Sequence, residues 1–135
     1  MWRKRFAEPP AGQFVAVEQT GEVLTGFVCA YGNHDPQWGN FIDNIHVDPG
    51  RKRQGIGARL MRAVAEWAVQ DFLERRVYLW VLESNVSARR FYESLGAEVA
   101  ERDLWTPPDG SQLPKLRVVW KNAAILRAGA DRALT

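Results

Sequence analysis

The chain has 135 residues, of which 46% are hydrophobic and six are tryptophan. That length supports one hydrophobic core and that composition excludes a disordered chain, so we expect a single domain over residues 1–135. A net charge of +2 favours neither a nucleic-acid binder nor a membrane binder, and no apolar run approaches a membrane span of roughly 20 residues. The single cysteine, Cys29, cannot form an internal disulfide, and the basic N-terminus lacks the apolar region of a signal peptide. We therefore predict a cytoplasmic protein.

The first predicted elements are three strands. Residues 13–19 alternate apolar and polar side chains, and residues 22–32 follow a Thr-Gly turn, which together predict a β-hairpin. Residues 32–40 are rich in Gly, Asn and Pro and predict a loop. Residues 41–47 then predict a third strand, which ends before an Asp-Pro pair.

An amphipathic helix and a buried strand come next. Apolar residues recur at i, i+4, i+8 and i+11 from Ile56 to Trp67, which predicts a helix with one wet face lying on a sheet. Residues 77–82 are apolar at both odd and even positions, as in a central strand that is covered on both faces.

The last predicted elements are a second helix and an antiparallel pair. Ala88, Phe91, Tyr92 and Leu95 have helical spacing, Ser84 or Asn85 can cap the start, and Gly96 can end the helix. Two strand-like segments then flank the turn at residues 107–114, and the Ala-rich tail after Asn122 is either a short helix or frayed. The order β-β-β-α-β-α-β-β predicts an α/β fold with a central mixed sheet.

A glycine-rich loop precedes the first helix. Residues 50–62 hold five Lys or Arg and no acid, and Gly55 and Gly57 would expose backbone N–H groups at the positive end of the helix dipole. That combination favours a phosphate, although a tight turn with a solvated basic face is an equal alternative from this motif alone. A dinucleotide loop is disfavoured because Leu60 stands where its third glycine belongs.

Two motifs in order make the chain similar to a known family. "VDPGRKRQGIGARLMRAVAEWA", followed by "LWVLESNVSARRFYESLGAEV", resembles the GCN5-related N-acetyltransferase (GNAT) family over Val15 to about Trp120. The resemblance implies that the acetyl-coenzyme A pyrophosphate binds the loop, in which Lys52 replaces the usual Gln or Arg. The loop residues are Lys52, Arg53, Gln54, Gly55, Ile56, Gly57 and Ala58.

The resemblance also implies a cofactor groove. The third strand should splay from residues 77–82, so that the pantetheine arm pairs with the backbone of Ile45, His46 and Val47. Asn85 can cap its helix, bind the pantetheine, or do both. No metal is expected.

The catalytic residues are harder to assign. The resemblance implies that Tyr92 is the general acid that protonates the leaving thiolate, although its spacing alone favours a core aromatic. Many relatives carry a glutamate where Phe41 stands, and Asp43, two residues further on the same strand face, is the candidate base. His34 and His46 are weaker candidates, and the acceptor amine could also arrive neutral.

The sequence thus indicates an acetyl-coenzyme A dependent N-acetyltransferase that acts on a primary amine of a small molecule, a peptide or a protein. One alternative is a non-catalytic acyl-coenzyme A binder, and a weaker one is a polyanion binder that uses the basic loop. The region before the hairpin is short for the helices that usually wall the acceptor site, so either a partner subunit completes the wall or a large acceptor covers an open cleft. Of these two we expect a homodimer. Trp2, Trp38 and Trp105, which we expect to be exposed, also favour a dimer.

Overall fold

The computed structural model describes residues 2–4, 12–51, 55–72 and 75–135. Its strands are β1 (Trp2–Lys4), β2 (Gln13–Thr20), β3 (Val23–Asp35), β4 (Gly39–Val47), β5 (Val77–Leu82), β6 (Glu98–Trp105) and β7 (Leu113–Trp120). Its helices are a 3-10 turn (Pro49–Arg51), α1 (Ile56–Phe72), α2 (Val86–Ser94) and α3 (Ala123–Ala133). The predicted element order is confirmed from β2 to β7; β1 is an addition, and α3 forms in the tail for which a short helix was one of two alternatives. The expectation of a shortened N-terminal helical region concerns, in part, residues 5–11, which lie outside the described residues.

The strands form one seven-stranded mixed sheet in the order β1-β2-β3-β4-β5-β7-β6. Every neighbouring pair is antiparallel except β4 and β5. These two pair in parallel only at Asn40 with Val77 and Phe41 with Tyr78, although β4 continues to Val47 and β5 to Leu82. The two strands therefore splay beyond Phe41, as the family resemblance implies.

The hydrophobic core lies on one face of the sheet, against all three helices. Its members include Leu60 and Met61 of α1, Tyr92 of α2 and Leu126 of α3. Alternate strand residues complete it, in accord with the period of two along a strand. These include Ala16, Val28, Ile42, Leu79, Val118 and Trp120. We call this the helical face, and the opposite side of the sheet the open face.

β5 lies inside the sheet, between β4 and β7, as predicted, but no helix of the described ranges packs on its open face. Val77, Leu79 and Val81 enter the core, whereas Tyr78 and Trp80 project to the open face. Tyr78 is only 4% exposed. Neighbouring side chains cover it instead of a helix: the ring of Phe41 stacks on it, and the guanidinium of Arg117 lies 5.0 Å from its ring centroid.

The predicted loop at residues 32–40 is instead a strand extension with a short turn. β3 runs on to Asp35 and β4 begins at Gly39, and these two residues pair with each other. The polar residues that suggested a loop hold this turn together, since the Asp35 carboxylate accepts hydrogen bonds from the amides of Gln37 and Trp38. The buried Asn40 side chain accepts from the Asn33 amide at 2.8 Å and donates to the Arg76 carbonyl at 3.2 Å.

A β-bulge interrupts β4 at Asp43. Cys29 of β3 pairs with Asn44, whereas Ala30 pairs with Ile42, so Asp43 is the extra residue. The alternation of faces shifts there, and Ile42 and Ile45 therefore both pack on the core although they are three residues apart. The two-residue period that we used to place Asp43 relative to Phe41 does not hold past the bulge.

The tail that the sequence left open forms α3. Asn122 caps it, its side chain accepting from the Ile125 amide at 3.1 Å. Leu126 and Ala130 are fully buried, and an ion pair of 2.9 Å joins Asp131 to Arg62 of α1. Across the described ranges, no helix is both long and apolar enough to cross a bilayer.

Candidate functional site

The splay of β4 from β5 opens two adjoining cavities. The larger, the cleft, has a volume of about 700 Å³, within the range of small-molecule sites. It lies on the helical face and is lined by Ile45, His46, Val47, Pro49, Gly55, Ile56, Gly57, Ala58, Asn85, Ser87, Ala88, Phe91, Tyr92 and Ala133. The smaller, the slit, has about 200 Å³ and is lined by Ile42, Asp43, Asn44, Ile45, Leu79, Trp80, Val81, Leu82, Asn85, Ala88 and Tyr92.

The cleft and the slit share four lining residues, which are Ile45, Asn85, Ala88 and Tyr92. Tyr92 belongs to the helical face, whereas Trp80 projects to the open face. The slit therefore runs through the sheet between the splayed strands, from the cleft toward the open face.

The glycine loop forms one wall of the cleft. Gly55 has a φ of +77°, which favours glycine, and it leads into the 17-residue helix α1. The first turn of α1 holds no acidic side chain. A Cβ on Gly57 would lie 3.1 Å from Cζ of Phe91, so only a bare backbone leaves this wall uncrowded. Amides at the positive end of a helix, without a side chain over them, suit a phosphate group.

The structure brings together nine of the predicted cofactor-binding residues around the cleft, namely Ile45, His46, Val47, Gly55, Ile56, Gly57, Ala58, Asn85 and Tyr92. The other three, Lys52, Arg53 and Gln54, lie outside the described residues. On β4 the backbone beyond Phe41 has no partner from β5, so an extended chain can hydrogen-bond there as an added strand does.

Asn85 has the capping role that the sequence predicted. Its side-chain oxygen accepts from the Ala88 amide at 3.2 Å, and α2 starts at the next residue, Val86. The residue also lines both cavities, so a second role toward a ligand stays a prediction.

Tyr92 is both a core aromatic and a residue of the site. It is 7% exposed, and its ring packs edge-on against Trp120 at a centroid distance of 6.2 Å. Within the described part of the chain its hydroxyl has no hydrogen-bond partner, and the residue lines the cleft and the slit. Burial raises the pKa of the phenol above its usual value, so Tyr92 is protonated at neutral pH and can donate.

Asp43 lies at the bulge, is exposed and lines the slit. Phe41, which stands where many GNAT relatives carry a glutamate, stacks between His34 and Tyr78 with ring centroids 5.0 Å from each. His46 lines the cleft and also lies 5.7 Å from the ring of Phe27. Among the described residues no three His, Cys, Asp or Glu side chains gather where they could hold a metal ion.

Five residues of the cleft were not among our predicted site residues, namely Pro49, Ser87, Ala88, Phe91 and Ala133. Ala88 and Phe91 were part of the helical stripe, so their spacing already placed them beside Tyr92. Ala133 belongs to α3, and no sequence signal links the end of that helix to the glycine loop.

The model of the acetyltransferase (GNAT) family matches residues 1–97. The chain belongs to this family. The match includes the glycine loop, α2 and Tyr92, so the GNAT resemblance predicted from the two motifs is confirmed.

Individual relatives agree with the GNAT assignment. The chain is 32% identical over 95 residues to an L-ornithine N5-acetyltransferase of Arabidopsis thaliana. That match covers 68% of this chain and 41% of the relative. It is 22% identical over 87 residues to a spermine/spermidine N(1)-acetyltransferase of Bacillus subtilis, covering 64% of this chain and 57% of the relative. The chain therefore spans about half the length of these curated relatives.

A solved structure shows the same fold. A putative streptothricin acetyltransferase from Bacillus anthracis, crystallised with acetyl coenzyme A, superposes with a TM-score of 0.70 at 22% identity. The superposition covers 82% of this chain and 62% of that one. The predicted mixed-sheet GNAT fold is thus confirmed.

Proposed function

We propose that this GNAT chain transfers the acetyl group of acetyl-coenzyme A to a primary amine. The observation that carries the proposal is the joined pair of cavities. The cleft has glycine-loop amides suited to a pyrophosphate, and the slit, lined by Tyr92 and Asp43, leads from it through the sheet. One cavity fits a long phosphate-bearing donor, and the other admits an acceptor from the opposite face.

The residues present fit each requirement of acyl transfer. Acetyl-coenzyme A would supply a thioester, whose carbonyl carbon the amine nitrogen attacks as the carbon–sulfur bond breaks. Asp43 would accept the proton that the amine nitrogen loses, directly or through a water. Backbone N–H groups of the splayed strand, with that of Val47 as the candidate, would stabilise the charge on the carbonyl oxygen. Tyr92 would give its phenolic proton to the thiolate.

Relatives support the class of donor and acceptor. The plant and bacterial relatives are named for the acetylation of ornithine and of spermine or spermidine, which are all amines. The Bacillus anthracis structure holds acetyl coenzyme A. A primary amine is therefore the acceptor class that we propose here.

Two measurements on the purified chain test the function. We expect acetyl-coenzyme A to raise the melting temperature, because a ligand that binds only the folded state stabilises it. With a panel of diamines, amino acids and peptides, we expect release of free thiol together with a mass increase of one acetyl group on an amine. A chain that shows no thermal protection by acetyl-coenzyme A and forms no acetylated product would contradict the proposal.

A non-catalytic acyl-coenzyme A binder is the second candidate. It is favoured by Phe41, whose ring is committed to the stack with His34 and Tyr78 and leaves no carboxylate at the position where many relatives have one. This candidate predicts thermal protection by acetyl-coenzyme A without acetylation of any amine in the panel. Salt-sensitive RNA binding without a response to acetyl-coenzyme A would instead favour the polyanion binder.

The role of Asp43 as base has its own test. Asp43→Asn should lower kcat/KM about a hundredfold at neutral pH, because most of the acceptor amine is then protonated and needs a base. The loss should shrink as the pH approaches the amine's own pKa near 10, where the amine loses its proton without help. Glu22→Gln, in the exposed turn between β2 and β3, is the matched control. Parallel pH profiles for Asp43→Asn and the wild type would assign Asp43 to substrate contact or structure.

We also propose a homodimer, supported by exposed apolar side chains on the edge strand β6. Val99, Leu104 and Trp105 are 47%, 47% and 44% exposed. Trp38 no longer supports a dimer, since its ring is packed under the guanidinium of Arg117 at 4.5 Å, and the side chain of Trp2 lies outside the described residues. Sedimentation at micromolar concentration should show twice the chain mass, and a monomer would contradict this proposal. The cytoplasmic location stays a prediction from the sequence.

A further inference from the structure

The open face carries two cations on the ring of one slit residue, Trp80, and the guanidinium of Arg117 is one of them, at 4.3 Å from the ring centroid. Trp80 lines the slit, and the ammonium nitrogen of Lys115, on the neighbouring strand β7, lies 4.1 Å from the centroid of its ring. An ammonium at this distance is held by the negative face of the indole, which restricts an otherwise flexible side chain. The Lys115 charge is therefore held on the ring of a slit residue.

Two neighbouring arginines form ion pairs, whereas Lys115 forms none within the described ranges. Arg117 is paired with Glu101 at 3.3 Å, and Arg102 is paired with Glu83 at 2.8 Å. Asp103 stands opposite Lys115 in the β6–β7 register and keeps its charge, and its carboxylate accepts from the Leu104 amide at 2.8 Å without forming an ion pair with Lys115. Within the described ranges, no carboxylate forms an ion pair with Lys115.

The other side of the slit carries the opposite charge. Asp43 lies on β4, and in the described part of the chain no ion pair or hydrogen bond engages its carboxylate. An acceptor that lies across the slit therefore meets an anion on the β4 side and a cation on the side of Trp80. A molecule with a basic amine at one end and a carboxylate at the other matches both.

We propose that the acceptor is an amine that also carries a carboxylate, as a diamino acid does, and that Lys115 binds this carboxylate. The inference rests on the proposed acetyl transfer for the role of the amine, whereas the carboxylate contact is a binding property that can be measured alone. Arg117 is not the anchor, because its side chain is only 12% exposed and Glu101 already neutralises it. Lys115 thus determines specificity without touching the reacting atoms.

Pairs of amines that differ only by a carboxylate test the inference. Ornithine and putrescine form one pair, and lysine and cadaverine form a second of greater length. Calorimetry on the chain loaded with coenzyme A gives the four dissociation constants without any turnover. In at least one pair we expect the amino acid to bind about tenfold more tightly than its decarboxylated partner, as a charge-assisted contact provides.

Variants assign that preference to one side chain. Lys115→Met should abolish the preference, so that the two amines of a pair bind about equally. Lys115→Arg should retain part of the preference because the charge remains. Lys121→Met is the matched control on a lysine that lies beyond the end of β7 and is 72% exposed, and the preference should persist in it. Equal affinities within both wild-type pairs, or a preference that survives in Lys115→Met, would overturn the inference. If the preference is found and lost as expected but no amine is acetylated, the carboxylate site stands and the proposed transfer fails.

Discussion

Replacing Tyr92 by phenylalanine is expected to lower kcat by about 10²- to 10⁴-fold, the usual contribution of a positioned general acid. The change removes one hydroxyl that lines both cavities and leaves the ring against Trp120 in place. Because this hydroxyl has no hydrogen-bond partner in the described chain, the unfolding free energy should change by less than about 1 kcal/mol. Steady-state kinetics with acetyl-coenzyme A and thermal unfolding measure the two effects separately.

The pH dependence sharpens the expectation for Tyr92. An acid acts only while it is protonated, and burial raises the pKa of this phenol, so the step persists at low and neutral pH and is lost only as pH rises through that raised pKa. Wild-type kcat should therefore not fall between pH 6 and 9 on account of Tyr92. Tyr78→Phe is a matched control, because Tyr78 is also buried with a raised pKa but lies on the open face. A Tyr92→Phe variant with wild-type kcat over this range would remove the acid role.

The second large effect is expected at the glycine loop. Gly57→Glu should weaken acetyl-coenzyme A binding by at least about 100-fold. Its side chain would start 3.1 Å from Phe91 at the wall of the cleft, and its carboxylate would repel a pyrophosphate at the loop amides. Titration calorimetry gives the affinity, and circular dichroism reports whether the helices persist.

A control variant tests whether the position of the new carboxylate, and not merely its added negative charge, weakens binding. Gln70→Glu places the same carboxylate on the exposed face of α1, at its other end, and should bind acetyl-coenzyme A as the wild type does. If Gly57→Glu kept an affinity within threefold of the wild type, the loop would not be the phosphate site.

Much of the fold could be predicted because periodicity reports burial directly. The stripe from Ile56 to Trp67 and the apolar run of β5 both carry apolar side chains that are buried on folding. Both elements were found where predicted. The segment at residues 32–40 misled because its polar side chains are satisfied by backbone groups: the buried Asn40 side chain accepts from the Asn33 amide and donates to the Arg76 carbonyl. Composition alone cannot show that pairing.

Some residues of the candidate site could also be predicted from the sequence, and others could not. Gly55, Gly57 and Asn85 could be assigned from the sequence because local motifs place them at helix ends, whereas Tyr92 was assigned to the site only by the resemblance to the GNAT family. The bulge at Asp43 was not, since it is a property of the pairing between β3 and β4. The contact of Lys115 with Trp80 was also hidden, because it depends on which residues two distant strands place side by side.

The central claim is that the cleft and the slit form one reaction site through the splayed strands, and a bisubstrate ligand tests it most directly. Such a ligand joins the sulfur of coenzyme A, through an acetyl bridge, to one nitrogen of ornithine or putrescine. Because it fills both cavities without the cost of bringing two molecules together, its dissociation constant should be at least about tenfold below that of acetyl-coenzyme A. Affinities no better than that of acetyl-coenzyme A for both conjugates would contradict the account.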